Sequence, residues 1–260
     1  MLPGMTRAAL LVLLAACTAS SNDFPPRSGG ATGVGPVTSG PGGTTGDGGV
    51  SDANDGDAGV AVSGRICIVR DLRHLTTCDT LKGDASVVKV SIGGRAPAAP
   101  PAKTGEFSIV APLGTDLVWH ASGTNFITTA MPFGPDNTIP IVPDLVYTDL
   151  LNQNHVTLLT EGQGSVFVRA VTGALAESGV SATTTLVTGN VIPLYDADIS
   201  STDWREIGPT QAAGVIWFPG VQVTTTTPAR ITLSRVGGTP VNVSVNVEDQ
   251  VITFLTQDVP

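Results

Sequence analysis

Charged side chains make up only 13% of the 260 residues and aromatic ones 5%, and the chain holds three cysteines, three histidines and five glutamates. Each scarcity excludes something. Thirteen Lys and Arg stand against 22 Asp and Glu, a net charge of −9 with no clustered cations, so a nucleic-acid partner is excluded, because a phosphate backbone is held by grouped positive charge. Lys, Glu and Gln are sparse while Val, Thr, Gly and Pro are plentiful, which argues against a helix-rich fold and for strands and turns. His74, His120 and His155 are scattered singly, without the short spacing of a compact zinc site. Neither H-E-x-x-H, a Walker loop nor a glycine-rich dinucleotide fingerprint is present, and Gly162-Gln163-Gly164-Ser165-Val166 has the wrong order for a serine on a nucleophile elbow. No catalytic residue and no cofactor are expected. Long apolar runs are missing too: the longest, Ala8 to Ala16, is about half of the ~20 residues that span a bilayer.

That short run is informative for what surrounds it. Arg7 precedes it and Leu14-Ala15-Ala16-Cys17 ends it, the layout of an export signal with a small-residue cleavage site. The ending resembles the lipobox of bacterial lipoproteins, in which the cysteine becomes the acylated first residue of the mature chain. The resemblance implies a signal peptide at 1–16, lipidation at Cys17, and membrane attachment through several acyl chains, each methylene contributing about 0.8 kcal/mol. Thr18 after the cysteine, where an Asp would retain the protein in the inner membrane, implies the outer membrane. Acylation of Cys17 leaves Cys67 and Cys78 as a pair in an exported setting, where a disulfide is expected.

From Thr18 to Val60 small and polar residues dominate, and Phe24 is the one aromatic. Such a stretch cannot offset the entropy of ordering its backbone, so residues 17–60 are expected to form a disordered tether. Asp52-Ala53-Asn54-Asp55-Gly56-Asp57 within it has the oxygen spacing of a calcium loop but lacks the closing glutamate, and reads as solvated linker.

Past residue 60 the hydrophobic period becomes two. Val62, Gly64, Ile66 and Ile68 share a face, and further short runs follow at 86–92, 106–111, 116–121 and 125–130, separated by Gly and Pro turns. Asp144 is placed to cap one short helix, Leu145 to Asn152, whose Val146/Leu150 and Tyr147/Leu151 pairs fall on successive turns. The strand pattern then restarts at 164–171 and continues at 180–187, 213–218, 229–235, 241–247 and 250–256. Both halves open on a Gly-led strand, Ser63-Gly64-Arg65-Ile66 and Gln163-Gly164-Ser165-Val166. Both later place a glycine before an aromatic strand, Thr104-Gly105-Glu106-Phe107 and Ala213-Gly214-Val215-Ile216-Trp217-Phe218.

On these residues the chain resembles the carboxypeptidase regulatory-like, or transthyretin-like, domains. The resemblance implies an all-β protein of two tandem Ig-like antiparallel sandwiches, 61–143 and 161–260, joined by a helical connector at 144–160, and a module that supports or binds rather than catalyses. Two loop features stand out as candidate sites. Asp196, Asp198 and Asp203 offer alternate oxygens of the kind calcium accepts, and Trp204 beside them is the tryptophan best placed for ligand contact. Trp119 and Trp217 lie within alternating strands and are expected to pack between sheets. The leading expectation is a non-enzymatic lipoprotein of the cell envelope that displays its sandwiches for structural support or contact with an envelope protein. A glycan-binding surface lipoprotein, with or without calcium, and an accessory or degenerate hydrolase module are the alternatives.

Overall fold

The period-two segments become strands because alternation lets each bury one face. A computed structural model describes residues 59–260 apart from 80–83, 115, 158–159, 186–190, 198–202 and 225–226. The signal, Cys17, the acidic Asp52–Asp57 stretch and Asp198 lie outside the described residues. The first half contributes β1 (Gly59–Ile68), β2 (Lys89–Ile92), β3 (Glu106–Pro112), β4 (Val118–Gly123), β5 (Phe126–Pro132) and β6 (Thr138–Pro143). After helix α1 (Asp144–Gln153) come β7 (Gln163–Thr172), β8 (Leu175–Ala176), β9 (Val180–Thr185), β10 (Leu194–Asp196) and β11 (Trp204–Arg205). The chain ends with β12 (Val215–Gln222), β13 (Ala229–Arg235), β14 (Val241–Val245) and β15 (Ile252–Asp258).

The two halves repeat one plan. In the first, β1 pairs antiparallel with β3 and parallel with β6, while β2, β4 and β5 pair antiparallel in that order. In the second, β7 pairs antiparallel with β12 and parallel with β15, while β9, β13 and β14 pair antiparallel in that order. Each half is therefore a sandwich of two three-stranded layers, with β8, β10 and β11 as additions to the second. Ile66, Ile68, Ile92, Phe107, Ile109, Trp119, Ile139 and Ile141 fill the first interior. Val166, Val168, Ile216, Phe218, Ile231 and Leu233 are prominent in the second.

The glycines noticed in sequence hold equivalent places. Gly105 has φ +100° and its carbonyl accepts the Ile66 N–H; Gly214 has φ +67° and its carbonyl accepts the Ala170 N–H. A Cβ on Gly105 would lie 2.3 Å from the Ile66 oxygen and one on Gly214 2.8 Å from the Ala170 oxygen, so only glycine fits either position.

The halves also share a sheet. Ile252 and Thr253 of β15 pair in parallel with Thr129 and Ala130 of β5, while the other edge of β15 runs along β7 from Ser165 to Val171. Strand β6 was missed by sequence reading, because Pro140 and Pro143 interrupt the run. It tolerates them by dividing its pairing, Thr138 to Ile141 with β1 and Val142 and Pro143 with β5. The expected helix forms, with Tyr147, Leu150 and Leu151 inward, but Asp144 does not cap it. Pro143 occupies the N-cap without a side-chain bond, and Asp144 is the first helical residue, where its charge faces the positive end of the helix dipole. The start of the 86–92 run is a single helical turn, Ala85–Val87, before β2.

A third apolar cluster lies on the outer face of the second half's main sheet. There Phe167, Val215, Trp217, Ile252 and Phe254 meet Leu72 and Leu75 from the first half and Tyr147, Leu150 and Leu151 of α1. Trp217 is buried as expected, but under this helix and not between the sheets; Trp119 is the one that packs between sheets.

Candidate functional site

The Cys67–Cys78 disulfide forms, with Cα atoms 4.8 Å apart across eleven residues. Cys67 is the penultimate residue of β1 and fully buried. The bridge closes a loop that carries Arg70, Asp71, Arg73 and His74 over the outer face of the second sandwich. Leu72 and Leu75 are the apolar pegs of that loop, driven into the third cluster. Its charges are paired: Arg70 Nε lies 2.6 Å from the Asp79 carboxylate, and Arg73 donates from Nε and Nη2 to the two oxygens of Asp71 at 3.0 and 2.7 Å. Burial pushes the Asp71 carboxyl up, but the hydrogen bonds from the Arg73 side chain and backbone outweigh it and hold the group below its usual value. Arg73 itself is only 8% exposed, so its guanidinium and the Asp71 carboxylate form a fixed, planar, bidentate pair.

Trp204 is 9% exposed and belongs to β11, not to an open loop. Its ring meets Trp217 edge-on at 5.5 Å and Phe167 at 6.0 Å, while Phe167 and Trp217 stack at 5.5 Å. The outer face of β7 and β12 is apolar, and Trp204, expected as the tryptophan best placed for ligand contact, mainly covers that face. One margin of Trp204 remains in contact with a cleft of about 310 Å³. Arg70, Asp71 and Arg73 of the disulfide loop form one wall of that cleft, and Asp149 and Gln153 of α1 form the other. Features that sequence reading treated separately, the disulfide, the helix and the loop tryptophan, thus meet at one place.

The acidic candidates do something else. The Asp196 side chain is fully buried; its Oδ1 accepts the N–H groups of Gln211 and Val215 at 3.0 and 3.2 Å, and its Oδ2 accepts that of Ala213 at 3.0 Å. This carboxylate shapes the turn into β12 around Gly214, and those three bonds correct its assignment as a calcium ligand. Asp203 is exposed beside β11, and its carbonyl accepts the Ala197 N–H at 3.2 Å.

Other polar groups are structural. Ser165 is fully buried on β7, accepts the Trp217 indole N–H at 2.8 Å and donates to the Phe218 carbonyl. The Tyr147 hydroxyl lies among these groups without a hydrogen bond of ordinary geometry, and burial pushes its phenol from 10.0 up to about 12. His120 of β4 lies 2.8 Å from Glu248, a hydrogen-bonding contact between the halves at the surface. A second cleft of about 300 Å³, also between the halves, is lined mainly by apolar groups such as Leu75, Phe133 and Phe254, with Arg169 at its margin.

The chain matches no protein-family model, and no curated protein matches it. Among solved structures it is similar to a crystal structure of the major pilin subunit of Bacillus cereus, at 14% identity over 66% of this chain and 54% of that one, with a TM-score of 0.22. The chain thus spans about half the length of that pilin, and the likeness is too slight to inform the site.

Proposed function

We propose that the protein is a non-enzymatic lipoprotein of a bacterial cell envelope, tied to the membrane by acylated Cys17 and presenting tandem sandwiches of the carboxypeptidase regulatory-like kind as a support or protein-contact module. The observation that carries the structural part of this reading is β15, which has ladder partners on both edges, β7 in its own half and β5 in the other. A strand gripped on both sides ties the halves together through backbone hydrogen bonds as well as side-chain packing, which suits a spacer that must hold its shape between an anchor and a partner. The membrane part rests on Leu14-Ala15-Ala16-Cys17 at the end of an apolar run. The division of labour is then an anchor at Cys17, a tether over the rest of 17–60 and two displayed bodies, 61–143 and 161–260.

Metabolic labelling with a palmitate analogue tests the anchor. The wild-type protein is expected to carry the label and sediment with membranes, and Cys17→Ser to lose both properties. An unlabelled wild type, or a Cys17→Ser protein that still sediments, overturns the reading. Turnover of ester or peptide substrates that a single Ser or Asp replacement abolishes would overturn its non-enzymatic part.

A further inference from the structure

We infer that the cleft between the disulfide loop and α1 binds a neutral saccharide. Three observations converge on this. The first is size and shape: about 310 Å³ falls at the lower end of the 300–1,000 Å³ typical of small-molecule sites, with room for roughly one or two sugar rings. The second is the balance of charge. The lining carries Arg70 and Arg73 against Asp71 and Asp149, with Arg73 bound at both ends to Asp71 and Arg70 paired to Asp79. Both guanidinium groups already hold carboxylate partners, so an anion finds no uncommitted cation to bind, whereas hydroxyl groups both donate and accept and are satisfied by carboxylate and amide alike.

The third is rigidity. Asp149 and Gln153 are four residues apart and so project from the same face of α1, opposite the buried Tyr147 and Leu151. The facing wall is pinned by the Cys67–Cys78 bridge and by the fixed Asp71–Arg73 pair. The Asp71 carboxylate held this way, faced by the exposed Asp149 carboxylate and Gln153 amide, offers paired donors and acceptors to adjacent hydroxyls on a ring. The margin of Trp204, with Val146 and Leu150 beside it, supplies the apolar contact that the C–H face of a sugar ring seeks. The disulfide is thereby a positioning element for the site, and Asp149 and Gln153 are the groups that touch ligand.

The test uses the full-length protein in a polyoxyethylene detergent, which carries no sugar headgroup. Maltotetraose, cellotetraose and tetra-N-acetylchitotetraose are titrated to about 10 mM by calorimetry, with tryptophan fluorescence followed in parallel. At least one is expected to bind saturably, with a dissociation constant on the order of 10⁻⁵ to 10⁻³ M, and to quench fluorescence. Asp149→Ala combined with Gln153→Ala, both on the exposed side of α1, is expected to weaken binding at least about tenfold at an unchanged melting temperature, a loss of about 1.4 kcal/mol. Reduction of Cys67–Cys78 is expected to weaken it as well, while restoring the bridge recovers it. The inference fails if none of the three sugars binds, if the double variant binds as tightly as wild type, or if a charged peptide occupies the cleft in preference to every sugar.

Discussion

The two sandwiches follow the same strand plan and differ in what covers them. Aligned on Gly105 and Gly214, Phe107 and Ile109 of β3 correspond to Ile216 and Phe218 of β12, and all four point inward. The alternate positions part company: Glu106 and Ser108 are exposed, while Val215 and Trp217 are fully buried beneath α1 and the disulfide loop. Strand β3 thus alternates as a sheet with one wet face should, while Val215 to Phe218 at the start of β12 form an unbroken apolar run, as a strand covered on both faces should. A repeat fixes the inner face of a sandwich; the outer face records what each copy has been asked to pack against.

The largest effect should come from the position where the copies differ most. Trp217→Ala removes a side chain that contacts Phe167, Trp204 and Tyr147 and is expected to cost about 3–5 kcal/mol in chemical denaturation. The equivalent Ser108→Ala should change stability by less than about 0.5 kcal/mol. Comparable losses at the two positions would mean that the outer faces are not differently covered.

A smaller effect depends on pH, since both tyrosines, Tyr147 and Tyr195, lie beyond the first sandwich. Below pH 10 the Tyr147 phenol is protonated whether folded or unfolded. Between 10.0 and about 12 the unfolded chain ionises while the buried phenol does not, so stability is full below pH 10 and falls as pH rises toward 12. The loss approaches about 2 kcal/mol. Tyr147→Phe should flatten that alkaline limb and cost little at pH 7, because the hydroxyl has no ordinary hydrogen bond to lose. Part of the slope should survive in Tyr195, whose phenol burial also raises.

The smallest expected change is at the seam. His120 and Glu248 are 36% and 43% exposed, and Glu248→Gln should shift stability by no more than about 1 kcal/mol.

The sequence made the inner faces legible because period-two alternation reports one buried face directly. The paired glycines exposed the repeat, and the spacing and setting of Cys67 and Cys78 identified the bridge. The outer cover was harder to foresee. Val215 to Phe218 is apolar at every position, and such a run does not say whether a sheet or a helix lies above it. Trp204 followed a masking cluster of Asp and Ser, turn residues that hid a two-residue strand, and Asp196 looked like a ligand because its partners are backbone N–H groups that no side-chain pattern announces. Strand β6 was concealed by its prolines, which a strand that divides its pairing between two neighbours accommodates.

The central claim is that β15 and the cluster under α1 join the halves into one cooperative body. Native-state hydrogen exchange tests it most directly, by comparing amides of β5, β7 and β15 in the full-length protein. The account predicts that the slowest amides of all three strands exchange through the same opening, with one free energy and one denaturant dependence. Exchange of β5 through a separate, lower-energy opening that leaves β7 and β15 protected would contradict it.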